Sequence, residues 1–116
     1  MDAPQNGIIY SGEDVTITVS LTDSDGTALE SAAVDAISEY RYIVSTGPYA
    51  STNLISKTVG AGVTLDNSAI TATILLADTD TDDLDGSYYH EAKATDSSGN
   101  ETTSFSGTLI VRRNVL

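Results

Sequence analysis

Residues 86–111 read GSYYHEAKATDSSGNETTSFSGTLIV, and their period decides the fold. Side chains alternate across a strand, so a period of two places every second residue on one face. Tyr88, His90, Ala92 and Ala94 share one face, while Tyr89, Glu91, Lys93 and Thr95 share the other. The DSSGN that follows supplies the Asp, Ser, Gly and Asn that tight turns use. Thr103, Phe105, Gly107, Leu109 and Val111 then fall on one face of a returning strand. The stretch reads as a hairpin of two long strands, with the Tyr88–Ala94 face buried.

The same period recurs toward the N-terminus. Val15, Ile17, Val19 and Leu21 alternate with Thr16, Thr18, Ser20 and Thr22, which predicts a strand with one apolar and one hydroxyl-rich face. Asp25-Gly26 marks a turn after it, and Leu29 is expected to tuck back against the core. Val34–Val44 reads as one longer strand. Tyr40, Tyr42 and Val44 lie on one face, and Ile37, Glu39, Arg41 and Ile43 on the other. Gly47-Pro48 interrupts pairing. Short strands are expected at Asn53–Thr58, Val63–Leu65 and Ile70–Leu76. No segment has a helical period, and the one helical candidate is a single turn within 78–84. About seven strands with regular turn signals predict an all-β chain, an immunoglobulin-like antiparallel β-sandwich forming a single domain over residues 1–116.

Composition narrows the function. The 116 residues carry 17 acidic and five basic side chains, for a net charge of −12. Nucleic acid and anionic membranes would repel such a chain, so neither is an expected partner. The absence of cysteine excludes disulfides and thiolate zinc sites. The start, MDAPQNGIIY, lacks the basic and apolar regions of a signal peptide, and no apolar run approaches the ~20 residues of a membrane span. The expectation is a protein made and assembled in the cytoplasm. The alternative is an exported domain cut from a larger protein.

LADTDTDDLDG, residues 76–86, is the most chemical-looking stretch. A helix-loop-helix calcium loop starting at Asp78 would place Asp80 and Asp82 correctly. It would also need Gly at its sixth position and Glu at its twelfth, where the chain has Asp83 and Tyr89. That motif fails. A looser oxygen cage of Asp78, Asp80 and Asp82 is the only calcium candidate. The preferred reading is a solvated acidic corner, with Thr79 or Asp80 capping a helical turn and Leu84 anchoring it. Asp23–Gly26 likewise reads as a turn rather than an ion site.

Catalytic groups are sparse. His90, the only histidine, falls on the buried face and reads as a hydrogen-bonded core residue. There is no G-x-S-x-G elbow and no Gly-rich phosphate loop, so no enzyme and no cofactor is expected. Asn100-Glu101-Thr102 matches a glycosylation triplet but reads more simply as part of the hairpin turn. Arg112-Arg113 is either a polar end or a docking tail for acidic neighbours.

Two stretches carry a resemblance: EDVTITVSLTDSDGTAL (13–29) and ITATILLADTDTDDLDGSYYHEAKATDSSGNETTSFSGTLIVRRNV (70–115). They resemble a family of small immunoglobulin-like domains from tailed bacteriophages, similar to the N-terminal domains of baseplate and fibre proteins. The shared pattern is a Gly-x-Tyr strand, a Thr-Asp-x-x-Gly-Asn turn and a strand ending in SGT-apolar-x-Val-Arg. The family's Pro-x-Gly before the tyrosine strand is Asp85-Gly86 here, and His90 replaces an aromatic or aliphatic residue. Tyr88 also matches the tyrosine corner of such sandwiches, where a hydroxyl ties down the corner backbone.

The resemblance implies a structural role in a virion assembled in the host bacterial cytoplasm. A decoration (cement) protein on the capsid, or an accessory protein of the neck or tail, fits a small domain without a shaft. Its partners would be capsid, neck or tail subunits, and itself as a homo-oligomer. Ile8, Ile9, Tyr10, Arg112, Arg113, Val115 and Leu116 are the expected contacts, because the flanking segments carry apolar residues a monomer would expose. The alternative is a bacterial surface module, immunoglobulin-like or cadherin-like, stabilised by calcium.

Overall fold

The computed structural model describes residues 7–22, 27–47 and 52–113. The turn expected at Asp23–Gly26 and the Pro48 loop break lie outside the described residues, as do Val115 and Leu116. Strands follow the order β1 (Gly7–Tyr10), β2 (Val15–Ser20), β3 (Ile37–Ser45), β4 (Asn53–Val59), β5 (Gly62–Asp66), β6 (Thr71–Leu76), β7 (Gly86–Asp96) and β8 (Glu101–Arg112). Two helical turns, α1 (Ser31–Asp35) and α2 (Asp78–Thr81), interrupt them.

Hydrogen bonding links the strands in the order β1-β8-β7-β3-β4-β5-β6-β2. This ribbon folds over where β4 passes into β5, giving a sandwich. One layer is β1-β8-β7-β3-β4 and the other is β5-β6-β2. The fold-over needs glycine: Gly60 and Gly62 have φ of 84° and 107°, and a Cβ on Gly62 would lie 2.7 Å from the Lys57 side chain. Both layers bury alternate residues in one core. Val19, Val63, Ala72, Ile74 and Leu76 come from one layer; Ile9, Tyr40, Tyr42, Val44, Ile55, Ala92, Phe105, Leu109 and Val111 come from the other. Leu29 packs against this core, and its N–H donates to the Leu21 carbonyl at 3.0 Å.

The hairpin spans the expected residues, with Gly86–Asp96 paired to Glu101–Arg112. One detail differs. A bulge between Ala92 and Lys93 pairs Lys93 with Thr103, so Ser104 rather than Thr103 turns inward to meet the Tyr40 hydroxyl at 2.9 Å. Val34–Val44 is not one strand either. Ser31–Asp35 forms a helical turn that buries Val34, and β3 begins at Ile37. The Ala32-Ala33 pair favours helix, and the turn is clipped to the loop after β5. Ser31 Oγ donates to the Asn67 carbonyl, and Asn67 Nδ2 donates to Asp35.

The eighth strand is β1, which period counting passed over because four residues are too few to alternate visibly. It pairs parallel with β8, and β4–β5 is also a short parallel pair, so the sandwich is not wholly antiparallel. The first and last described strands thus lie side by side in one layer.

Candidate functional site

β1 brings the N-terminal and C-terminal candidates together. Gly7, Ile8, Ile9 and Tyr10 stand opposite Leu109, Ile110, Val111 and Arg112. The alternation of a strand then divides the residues expected as contacts. Ile8 and Tyr10 are 55% and 48% exposed on the outward face. Ile9 points inward beside Val111 and is buried, which corrects its placement among the exposed contacts. Arg112 is exposed beside Tyr10, and Arg113 Nε lies 4.0 Å from Asp85 Oδ2 in a loose, solvent-exposed pair. No strand lies beyond β1 among the described residues.

The acidic corner abuts the far end of β1. The Gly12 N–H donates to the Thr81 hydroxyl at 3.1 Å, and Thr81 is fully buried. A Cβ on Gly12 would lie 3.5 Å from Asp82 Oδ1. Asp14 accepts from the Asp78 N–H at 2.8 Å. Thr81, missed in the sequence reading, is therefore the post that holds the corner to the strand layer. Its signal was faint, because two threonines, Thr79 and Thr81, alternate with the aspartates and both read as solvent-facing.

The three calcium candidates do not converge. Asp78 accepts from the Thr79 N–H, and Asp82 leans toward Gly12. Asp80 caps α2 by accepting from the Ala77 N–H at 2.7 Å, and its Oδ2 also meets Lys57 Nζ at 2.8 Å. Partial burial pushes the Asp80 pKa up. The Lys57 hydrogen bond, the Ala77 N–H and the Lys57 charge together outweigh that and hold it below the usual aspartate value. Among the described residues, no group of three or more His, Asp or Glu is placed to hold a metal ion. The corner is built as the capped turn expected of it, with Asp80 as the cap and the partly buried Leu84 against the core.

His90 sits in the core, 3% exposed, and its Nδ1 shares a 3.0 Å hydrogen bond with the Tyr42 hydroxyl. Tyr42, His90 and Phe105 pack with ring centroids 5.3–5.9 Å apart. Tyr88 forms the corner contact expected of it: the Asp85 N–H donates to its hydroxyl at 3.0 Å, and the hydroxyl donates to the Asp85 carbonyl at 3.3 Å.

No family model matches the chain, and no curated protein matches its sequence. Among solved structures it is similar to one described as "Structures of Clostridium thermocellum CbhA fibronectin(III)-like modules". The TM-score is 0.50 and the identity 17%, with 97% of this chain and 93% of that chain covered. At that identity the likeness is one of fold: an immunoglobulin- or fibronectin-like β-sandwich.

Proposed function

We propose that this chain is a non-enzymatic immunoglobulin-like module that works by protein–protein contact. Its particle would be a tailed bacteriophage, with the chain serving as a capsid decoration protein or a neck or tail accessory protein. The observation that carries the contact role is the β1 edge, which exposes Ile8 and Tyr10 with no strand beyond it among the described residues. On the neighbouring strand β8, Arg112 is exposed beside Tyr10 and adds polar contact area next to this edge. The virion setting rests on the sequence resemblance of residues 13–29 and 70–115. Such a protein acts by adding interface area between subunits.

The likeness to modules of a bacterial protein favours a second reading, a bacterial surface module. It shares the adhesive mechanism and differs in location. Electron microscopy with an antibody raised against the purified chain separates the two. Label at a fixed position on tailed particles supports the virion reading, and label confined to bacterial cell surfaces overturns it. The contact role has its own test in Ile8→Lys with Tyr10→Lys, which should abolish binding to labelled particles while leaving the melting temperature within a few degrees.

A further inference from the structure

We infer that the outer edge of β1 receives an extended strand of a partner protein, and that this strand carries basic residues at the end meeting the acidic corner. The inference rests on the contact role proposed above and specifies its geometry and partner chemistry.

The backbone directions are fixed by one hydrogen bond. The Ser11 N–H donates to the Arg112 carbonyl at 2.8 Å, in keeping with the parallel register of β1 on β8. Peptide groups alternate along a strand, so Ile9 also faces β8, while the N–H and C=O groups of Ile8 and Tyr10 face away from it. The outward edge thus offers two donors and two acceptors at strand spacing. The Ile8 side chain lies beside Ile110 on the outward face, giving an apolar contact for alternate residues of an added strand.

Charge selects the partner. β1 itself is uncharged, and one cation, Arg112, is exposed beside Tyr10. But β1 runs on toward three carboxylates, Asp14, Asp78 and Asp82, which cluster where Gly12 meets α2 and outnumber it. An antiparallel strand would bring its N-terminal end to this corner, so lysine or arginine there is favoured and glutamate or aspartate is repelled. A second copy is a poor occupant, since each copy carries −12.

The test uses blocked peptides KKTVTVTV and EETVTVTV against the full chain, read by calorimetry and, for strand pairing, by amide hydrogen exchange. The lysine peptide is expected to bind at least tenfold more tightly at low salt, with the difference shrinking as salt rises. Ile8→Pro removes an outward N–H and no β1–β8 bond, so it should weaken binding at least tenfold with little change in melting temperature. Ile8→Thr keeps that N–H and should weaken binding much less. Tyr10→Pro is the second variant should Ile8→Pro unfold.

Equal losses in Ile8→Pro and Ile8→Thr would overturn strand addition while leaving a side-chain contact surface intact. Equal binding of the two peptides would overturn the charge selection. A concentration-dependent dimer abolished by Ile8→Pro would also overturn the inference, because the occupant would then be a second copy.

Discussion

Tyr42→Phe removes a single hydroxyl from the centre of the core and keeps the ring against His90 and Phe105. Tyr42 is fully buried and His90 is 3% exposed, so water cannot replace the lost partner without opening the sandwich. The hydrogen bond itself contributes about 1 kcal/mol net, and a buried polar atom deprived of a partner raises the loss to about 1–3 kcal/mol. Unfolding entropy for 116 residues is about 0.24 kcal/mol per degree, so the melting temperature should fall by roughly 4–12 °C. Calorimetry on the wild type, Tyr42→Phe, His90→Leu and the double variant forms a cycle. The double variant leaves neither polar atom alone, so the two losses should fall short of additivity by about 1 kcal/mol. A Tyr42→Phe loss under about 0.5 kcal/mol, or additive losses, would refute the claim that this pair is a satisfied polar link within the core.

Both ends of the pH range should weaken the fold. Burial pushes the Tyr40 hydroxyl up to about 12, with the Ser104 hydrogen bond acting slightly against it. A folded pKa above the unfolded one means stability is present below about pH 10 and is lost as pH rises toward about 12. Melting temperature and tyrosinate absorbance should change together over that window. In acid the sign reverses. Asp96 is held low chiefly by the Asn100 N–H, and Asp66 by the N–H groups of Ala69 and Ser68. Asp80 is held low by Lys57 and Ala77 against its partial burial. Their stabilisation is present above the usual aspartate value of 3.8 and is lost as pH falls below it, which an acid titration followed by circular dichroism would check. Asp80→Ala should cost about 1 kcal/mol by releasing Lys57 and the α2 cap. Calcium should shift the melting temperature no more than magnesium does at equal ionic strength; a calcium-specific rise lost in Asp80→Ala would restore the ion-site reading.

Where period and turn chemistry were strong, the sequence was legible. The Gly86–Asp96 strand, its DSSGN turn and the inward set Tyr40, Tyr42 and Val44 follow from alternation, because a half-buried strand must repeat every two residues. The same rule placed His90 inside. Legibility failed where only distant neighbours decide. Ala32-Ala33 favours helix only weakly by itself, and the turn is held by Asn67, remote in sequence. GIIY was a strand only because β8 arrived beside it, and that pairing buried Ile9 while leaving Ile8 and Tyr10 outside.

The aspartates of residues 78–85 show the same division. Their charge and their failure as a calcium loop were fixed by residue type and spacing. Which of them caps, which pairs with lysine and which leans on β1 depended on Lys57, Asp14 and Gly12, each more than 20 positions away. Local sequence set the long alternating strands, the DSSGN turn and the charge. Tertiary packing chose the edge partner of β1 and the roles of the acidic side chains, because those depend on chain segments that only folding brings within hydrogen-bond reach.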